Sequence, residues 1–208
     1  MILIGQYDSP FVRRVGVAMT LYGLPYEHRP WSTFGDAEKI RPYSPLLRVP
    51  TLVLDDGETL IDSHMIIDHI DSLIEPERRM YPVGEPARRR ALKIAALAAG
   101  ISDKAVSLFY ELKLHDQSSK LWVDRCRSQI FGALSLLDAD RAGRTGDYWF
   151  GDAIGHADIV VATMLRHLTE AHPGLVSLDA LPALKAHWQR LESLPVFEKI
   201  RQPFIAPA

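Results

Sequence analysis

The chain has 208 residues, 47% of them hydrophobic and 24% charged, with a formal net charge of -2. That composition supports a packed core and gives no electrostatic reason to expect nucleic acid or an anionic membrane as partner. The single cysteine, Cys126, excludes an intrachain disulfide and a CxxC redox or zinc motif, no apolar run approaches the ~20 residues that span a bilayer, and no secretory signal is legible, so a cytoplasmic protein is expected.

Residues 1–6 form an apolar run of strand length. Asp8-Ser9-Pro10 then reads as a helix start, with Ser9 at the N-cap and Pro10 at the first helical position. Val12, Val15, Met19 and Tyr22 recur at helical spacing, Gly23 is a C-cap signal and Pro25 lies just beyond. Residues 26–29 read as a second strand and 30–47, with three prolines, as a loop. Residues 49–54 are a β-branched strand, Asp55-Asp56-Gly57 is a hairpin turn signal, and Thr59-Leu60-Ile61 pairs back. Ser63 opens a helix through Ile66, Ile67 and Ile70. Pro76, Pro82, Gly84 and Pro86 then mark the strongest break in the chain. Beyond it strand signals almost vanish, and helical patterns cover 87–114, 119–140, 155–172 and 181–194, with Pro195 opening a short last helix. The expected organisation is an α/β unit over residues 1–80, a linker over 81–86 and an all-helical unit over 87–208.

Four features occur in order. They are Ser9-Pro10-Phe11-Val12-Arg13-Arg14-Val15 after the first strand, Arg48-Val49-Pro50-Thr51-Leu52, Glu58-Thr59-Leu60-Ile61-Asp62-Ser63, and Gly155-His156-Ala157-Asp158-Ile159. Together they resemble the cytosolic glutathione S-transferases, in a serine-type, bacterial-like form, across nearly the whole chain. The resemblance implies a thioredoxin-like N-terminal domain followed by an all-helical one, glutathione as co-substrate with no metal, a hydrophobic electrophile as acceptor, and a homodimer. It also implies a cis Pro50 whose neighbour Val49 offers its backbone to the cysteinyl part of glutathione. Two residues before Val49 the family carries glycine, where this chain has Leu47.

The residue chemistry fits these roles. A thiol with a pKa near ~8.5 reacts as its thiolate. Ser9, at a helix N-terminus, can donate to the sulfur where the helix dipole favours negative charge; taken alone it is a plain N-cap. Tyr7 is its rival, with a hydroxyl just after the first strand. Ser63 can bind the γ-glutamyl carboxylate and Asp62 the ammonium, although the pair could merely cap a helix. Arg48 and Lys39 are candidates for the glycyl carboxylate, or simply solvated cations. Asp158 is expected at N3 behind a Gly155 cap, with Ile154 and Ile159 as a hydrophobic staple. The acceptor is expected near Ser102, Val106, Phe109 and Tyr110, residues that could equally be core. His64 with His69, and His167 with His172, stand at i, i+5 and do not converge on a metal. Cys126, mid-helix, reads as a small buried hydrophobe. Arg88-Arg89-Arg90 oppose the dipole at a helix start, and Asp68 or Asp71 of a second subunit would relieve them.

The expected reaction is attack of the glutathione thiolate on an electrophile, with isomerisation, peroxidase action or dehalogenation as variants. The alternative is a non-catalytic binding or assembly protein on the same fold.

Overall fold

The computed structural model describes residues 1–207. Strand β1 (Ile2–Ile4) leads into helix α1 (Pro10–Tyr22), and the chain returns as β2 (Glu27–Arg29), parallel to β1. Helix α2 (Ala37–Ile40), β3 (Thr51–Val53), β4 (Thr59–Leu60) and α3 (Ser63–Ser72) complete a sheet of order β2-β1-β3-β4, with β3 antiparallel to both β1 and β4. Alternation across this sheet sorts the side chains. Leu3 and Leu52, register partners, face α1 and α3 in the main core, while Ile4 and Val53 face Ile40 of α2 on the other side. This is the expected thioredoxin-like unit.

Two expectations are corrected within it. The 30–47 stretch is not all loop, because Asp36 starts the single turn of α2 and buries Ile40. The third strand is shorter than 49–54: the tertiary amide of Pro50 supplies no donor and pairing begins at Thr51.

The helical unit comprises α4 (Ala87–Lys113), α5 (Lys120–Ala142), α6 (His156–Ala171), α7 (Pro182–Glu192) and α8 (Pro195–Lys199). Helix α6 is its axis, buried along nearly its whole length and packed on α4, α7 and α1. Its start is set by the Asp158 carboxylate, which accepts from the N–H groups of Gly155 and Trp149, each at 2.8 Å. Glycine lacks a side chain to complete the reciprocal half of a capping box.

The two units share one core, and their seam is polar at two points. Asp71 accepts from His156 Nε2 at 3.1 Å, from Met80 N–H at 3.1 Å and from the Tyr22 hydroxyl. Burial alone would raise the Asp71 pKa, but the His156 and Tyr22 hydrogen bonds outweigh it and hold the carboxylate below its ordinary range. The second point is Arg13, which forms two hydrogen bonds to Glu192 at 2.5 and 3.0 Å and donates to the carbonyls of Ile200 and Phe197. Within the chain, Asp68 lies 3.4 Å from Arg88 and Glu85 lies 3.3 Å from Arg89 at the start of α4, while Asp71 is occupied inside the seam.

Candidate functional site

The candidate site is assembled around the first turns of α1. Gly5 passes beneath them at φ 125°, where an added Cβ would stand 2.5 Å from Val12 and 2.7 Å from Val49. A glycine is therefore required for β1, the start of α1 and the Val49 segment to meet this closely. Ser9 is the N-cap of α1, with its Oγ accepting the Val12 N–H at 3.4 Å. That leaves the hydroxyl proton uncommitted. The Tyr7 ring instead turns under α1, against Gly16, and stacks on His28 with centroids 3.9 Å apart. Its hydroxyl bonds that of Tyr26 at 2.9 Å, and burial first, then this bond, drive its pKa well above the ordinary tyrosine value.

Val49 lies beside this turn. Its bond to Pro50 is cis, and among the described residues neither its N–H nor its C=O has a hydrogen-bond partner. A peptide edge free on both groups is a template for another extended peptide. Leu47 holds φ 52°, the left-handed region that glycine enters freely. The loop thus keeps a glycine-like shape with a leucine in place, at a cost of about 1–2 kcal/mol.

The start of α3 supplies the third group. Asp62 is exposed and caps the helix, accepting from His64 N–H at 2.9 Å and Met65 N–H at 3.4 Å. Ser63 is 2% exposed, and its Oγ accepts from Arg14 at 3.3 Å, so its own proton also remains to be donated. Arg14 is fully buried, donates otherwise to the Tyr81 hydroxyl at 3.1 Å, and has no carboxylate within 4.0 Å among the described residues. Burial lowers its pKa, opposed by Tyr81 and Asp62. A buried cation and a helix N-terminus behind one serine make a strongly anion-favouring corner. The sequence signalled Arg14 only as a basic residue after Ser9; its partners were illegible.

Arg48 is 64% exposed and stands 3.6 Å from Asp103 of α4, bridging the two units. Lys39 is turned to Asp36 at 2.7 Å. Of the acceptor candidates, Ser102 is buried and donates to the Ala98 carbonyl at 3.2 Å, which is a core role. Phe109 is buried in an aromatic cluster with Phe204 at 5.1 Å and His172 at 6.0 Å. Val106 and Tyr110 are half-buried, and Tyr110 meets Phe34 of the α/β unit edge to face at 5.6 Å. Phe34 and Phe204 had no sequence signal, because each meets this region only through a contact with residues far along the chain, as does the Arg48–Asp103 pair. Cys126 is buried, with its thiol pKa raised by burial, and no group of three or more metal-ligating side chains occurs among the described residues.

Comparison with known proteins agrees with this architecture. The model described as "Glutathione S-transferase, N-terminal domain" matches residues 3–78, and that for "Glutathione S-transferase, C-terminal domain" matches residues 121–190. The uncharacterized GST-like protein YibF of Escherichia coli (strain K12) is 32% identical over 139 residues, covering 66% of this chain and 68% of that protein. A glutathione transferase family member from Pseudomonas fluorescens Pf-5, solved with bound S-(propanoic acid)-glutathione, is 30% identical with a TM-score of 0.81, covering 97% of this chain and 99% of that one. A glutathione S-transferase from Methylobacterium radiotolerans JCM 2831, in complex with glutathione sulfonate, gives a TM-score of 0.89 at 26% identity, covering 100% of this chain and 98% of that one.

Proposed function

The chain belongs to the glutathione S-transferase family, and we propose that it is a catalytic member that binds glutathione, activates its thiol at Ser9 and transfers it to a hydrophobic electrophile. The carrying observation is the grouping, around the first turns of α1, of three unfilled functions: the Val49 peptide edge, the uncommitted Ser9 proton, and Ser63 backed by Arg14. Glutathione has the complementary parts, an extended peptide with a thiol and a free α-carboxylate at its γ-glutamyl end. Val49 pairs with the cysteinyl peptide, Ser63 and the α3 N-terminus take that carboxylate, Asp62 faces the ammonium and Arg48 the glycyl carboxylate. Ser9 is preferred to Tyr7 because the Tyr7 ring lies under α1, against Gly16, with its hydroxyl bonded to that of Tyr26.

Chemistry then needs little from the protein beyond thiolate stabilisation and proximity. The serine proton and the exposed N–H groups of α1 lower the thiol pKa, at about 1.36 kcal/mol per unit. The electrophile lies against Val106, Phe109 and Tyr110, so that two reactants meet in one geometry.

The proposal includes a division of the chain at residues 81–86, a cytoplasmic location and a homodimer. The exposed apolar side chains Met65 of α3 and Leu92 of α4 favour the dimer. Light scattering should give twice 23.4 kDa, and a mass of 23.4 kDa overturns that part. The main test is retention on immobilised glutathione followed by turnover of a generic aryl halide, with cis–trans isomerisation, peroxide reduction and dehalogenation assayed in parallel. Retention without any turnover would make the chain a glutathione-binding assembly protein.

A further inference from the structure

The turn Tyr7–Asp8–Ser9 belongs to the α/β unit, yet three of its polar contacts come from far along the chain. The Tyr7 N–H donates to Gln202 Oε1 at 3.1 Å. His167 Nδ1 donates to the Asp8 carbonyl at 3.1 Å. The Ile205 N–H donates to Asp8 Oδ2 at 3.1 Å. Locally, the Ser9 N–H is held by the Gln6 carbonyl at 3.2 Å, while the Ser9 carbonyl and Oγ accept from the first turn of α1. We propose that His167 and Gln202 are positioning residues for Ser9, so that the helical unit sets the direction in which the serine hydroxyl is presented. The proposal rests on the reading of Ser9 as the thiol-activating group.

The reasoning is geometric. The Asp8 carbonyl and the Ser9 N–H are the two polar ends of one planar peptide group. One end is pinned by His167 and the other by Gln6, so the plane entering Ser9 cannot rotate and the Cα–Cβ bond of Ser9 has a set direction. A hydrogen bond to a thiolate weakens steeply as its angle closes, so tilting this plane costs stabilisation without touching the groups that bind the rest of glutathione.

His167 is suited to the task. A carbonyl only accepts, so the proton must sit on Nδ1, and among the described residues the buried Nε2 has no partner that could draw the ring into the other tautomer. The residue lies on α6, the most buried helix, and is an uncharged donor, adding no net charge beside the thiolate. The segment carrying Gln202 and Ile205 is tied to the same helix. The Phe204 ring meets His167 edge to face at 5.5 Å, and the Phe204 N–H donates to Glu170 at 3.0 Å. Both clamps on the turn therefore originate from α6 or are anchored to it.

The test follows the thiol pKa of bound glutathione by thiolate absorbance against pH, together with kcat and glutathione affinity, in the full chain. His167→Ala should raise that pKa by about 0.5–1 unit and lower kcat about three- to tenfold, with glutathione affinity changed less than about twofold. His167→Asn, whose side-chain amide can donate to the same carbonyl, should recover most of both. Gln202→Ala, at a half-exposed position, should shift both values in the same direction by less, and it decides the matter if His167→Ala does not fold. Wild-type thiol pKa in His167→Ala and Gln202→Ala, beside a raised value in Ser9→Ala, overturns the proposal alone. An unchanged value in Ser9→Ala overturns the reading of Ser9 and the proposal with it.

Discussion

Replacing Ser9 by alanine separates two roles of one hydroxyl. As a helix cap it is weak: its bond to the Val12 N–H is 3.4 Å long, outside the usual 2.7–3.2 Å for such bonds. Losing it should cost roughly 0.5 kcal/mol, the low end for N-caps. As a donor to a thiolate the same group is worth about 1.5–3 kcal/mol, because one partner is charged. Ser9→Ala should then raise the pKa of bound glutathione by about 1–2 units and slow turnover about 10- to 100-fold at a pH below both values. At a pH above both pKa values most of the difference should disappear, since the thiolate then forms without help. Stopped-flow absorbance of the thiolate against pH, steady-state kinetics at two pH values and a urea titration read all three quantities. A mutant with wild-type thiol pKa and rate, or one that loses rate only in proportion to lost stability, would refute the assignment.

Three more outcomes are expected. Ser63→Ala and Arg14→Gln should each weaken glutathione binding about tenfold or more in calorimetric titration, while an analogue lacking the γ-glutamyl α-carboxylate binds wild type and mutants alike; equal losses for both ligands would remove the carboxylate from this corner. Asp158→Ala strands the Trp149 and Gly155 N–H groups, each now 2.8 Å from its carboxylate, and should cost about 3 kcal/mol in urea unfolding with glutathione affinity intact in the folded fraction; unchanged stability would make the cap dispensable. Stability should fall on acidification. Burial first of all pushes the His167 pKa down to about 4, against an ordinary 6.5, so the unfolded chain takes up a proton that the folded chain refuses. This stabilisation is complete above pH 6.5, shrinks as pH drops and approaches a loss of about 3 kcal/mol near pH 4, with buried His156 acting in the same direction. Urea midpoints at pH 7 and pH 5 test it, and a His167→Asn protein with an undiminished pH slope would contradict it.

Much of the architecture was legible from local rules. Ser9-Pro10 and Gly23 bracket α1 because caps act within one turn of the helix they end. The proline and glycine cluster before Ala87 separates a segment with strand periods from one without, and Gly155 with Asp158 announces α6. Each of these signals depends only on neighbours a few residues apart. The order of four motifs then pointed to Ser9, Val49 and Ser63 as a set, and to Tyr7 as a competitor.

What tertiary structure decided is which polar groups are already spent. Tyr7 and Ser9 are two residues apart and both carry a hydroxyl, but the Tyr7 ring stacks on His28 with its hydroxyl bonded to Tyr26, while the Ser9 hydroxyl only accepts from Val12. Arg13 and Arg14 are adjacent in sequence, yet helical geometry turns one to Glu192 across the seam and the other to Ser63 with no carboxylate within 4.0 Å among the described residues. Asp68 answers Arg88 within one chain, where sequence reasoning looked to a second subunit. His167 gives no hint in sequence that its ring reaches the residue before Ser9. The physical reason is common to all four. Caps and periodicity are set by backbone geometry over a few residues, whereas a side chain's free hydrogen-bonding capacity depends on every group packed around it, including groups from the other end of the chain.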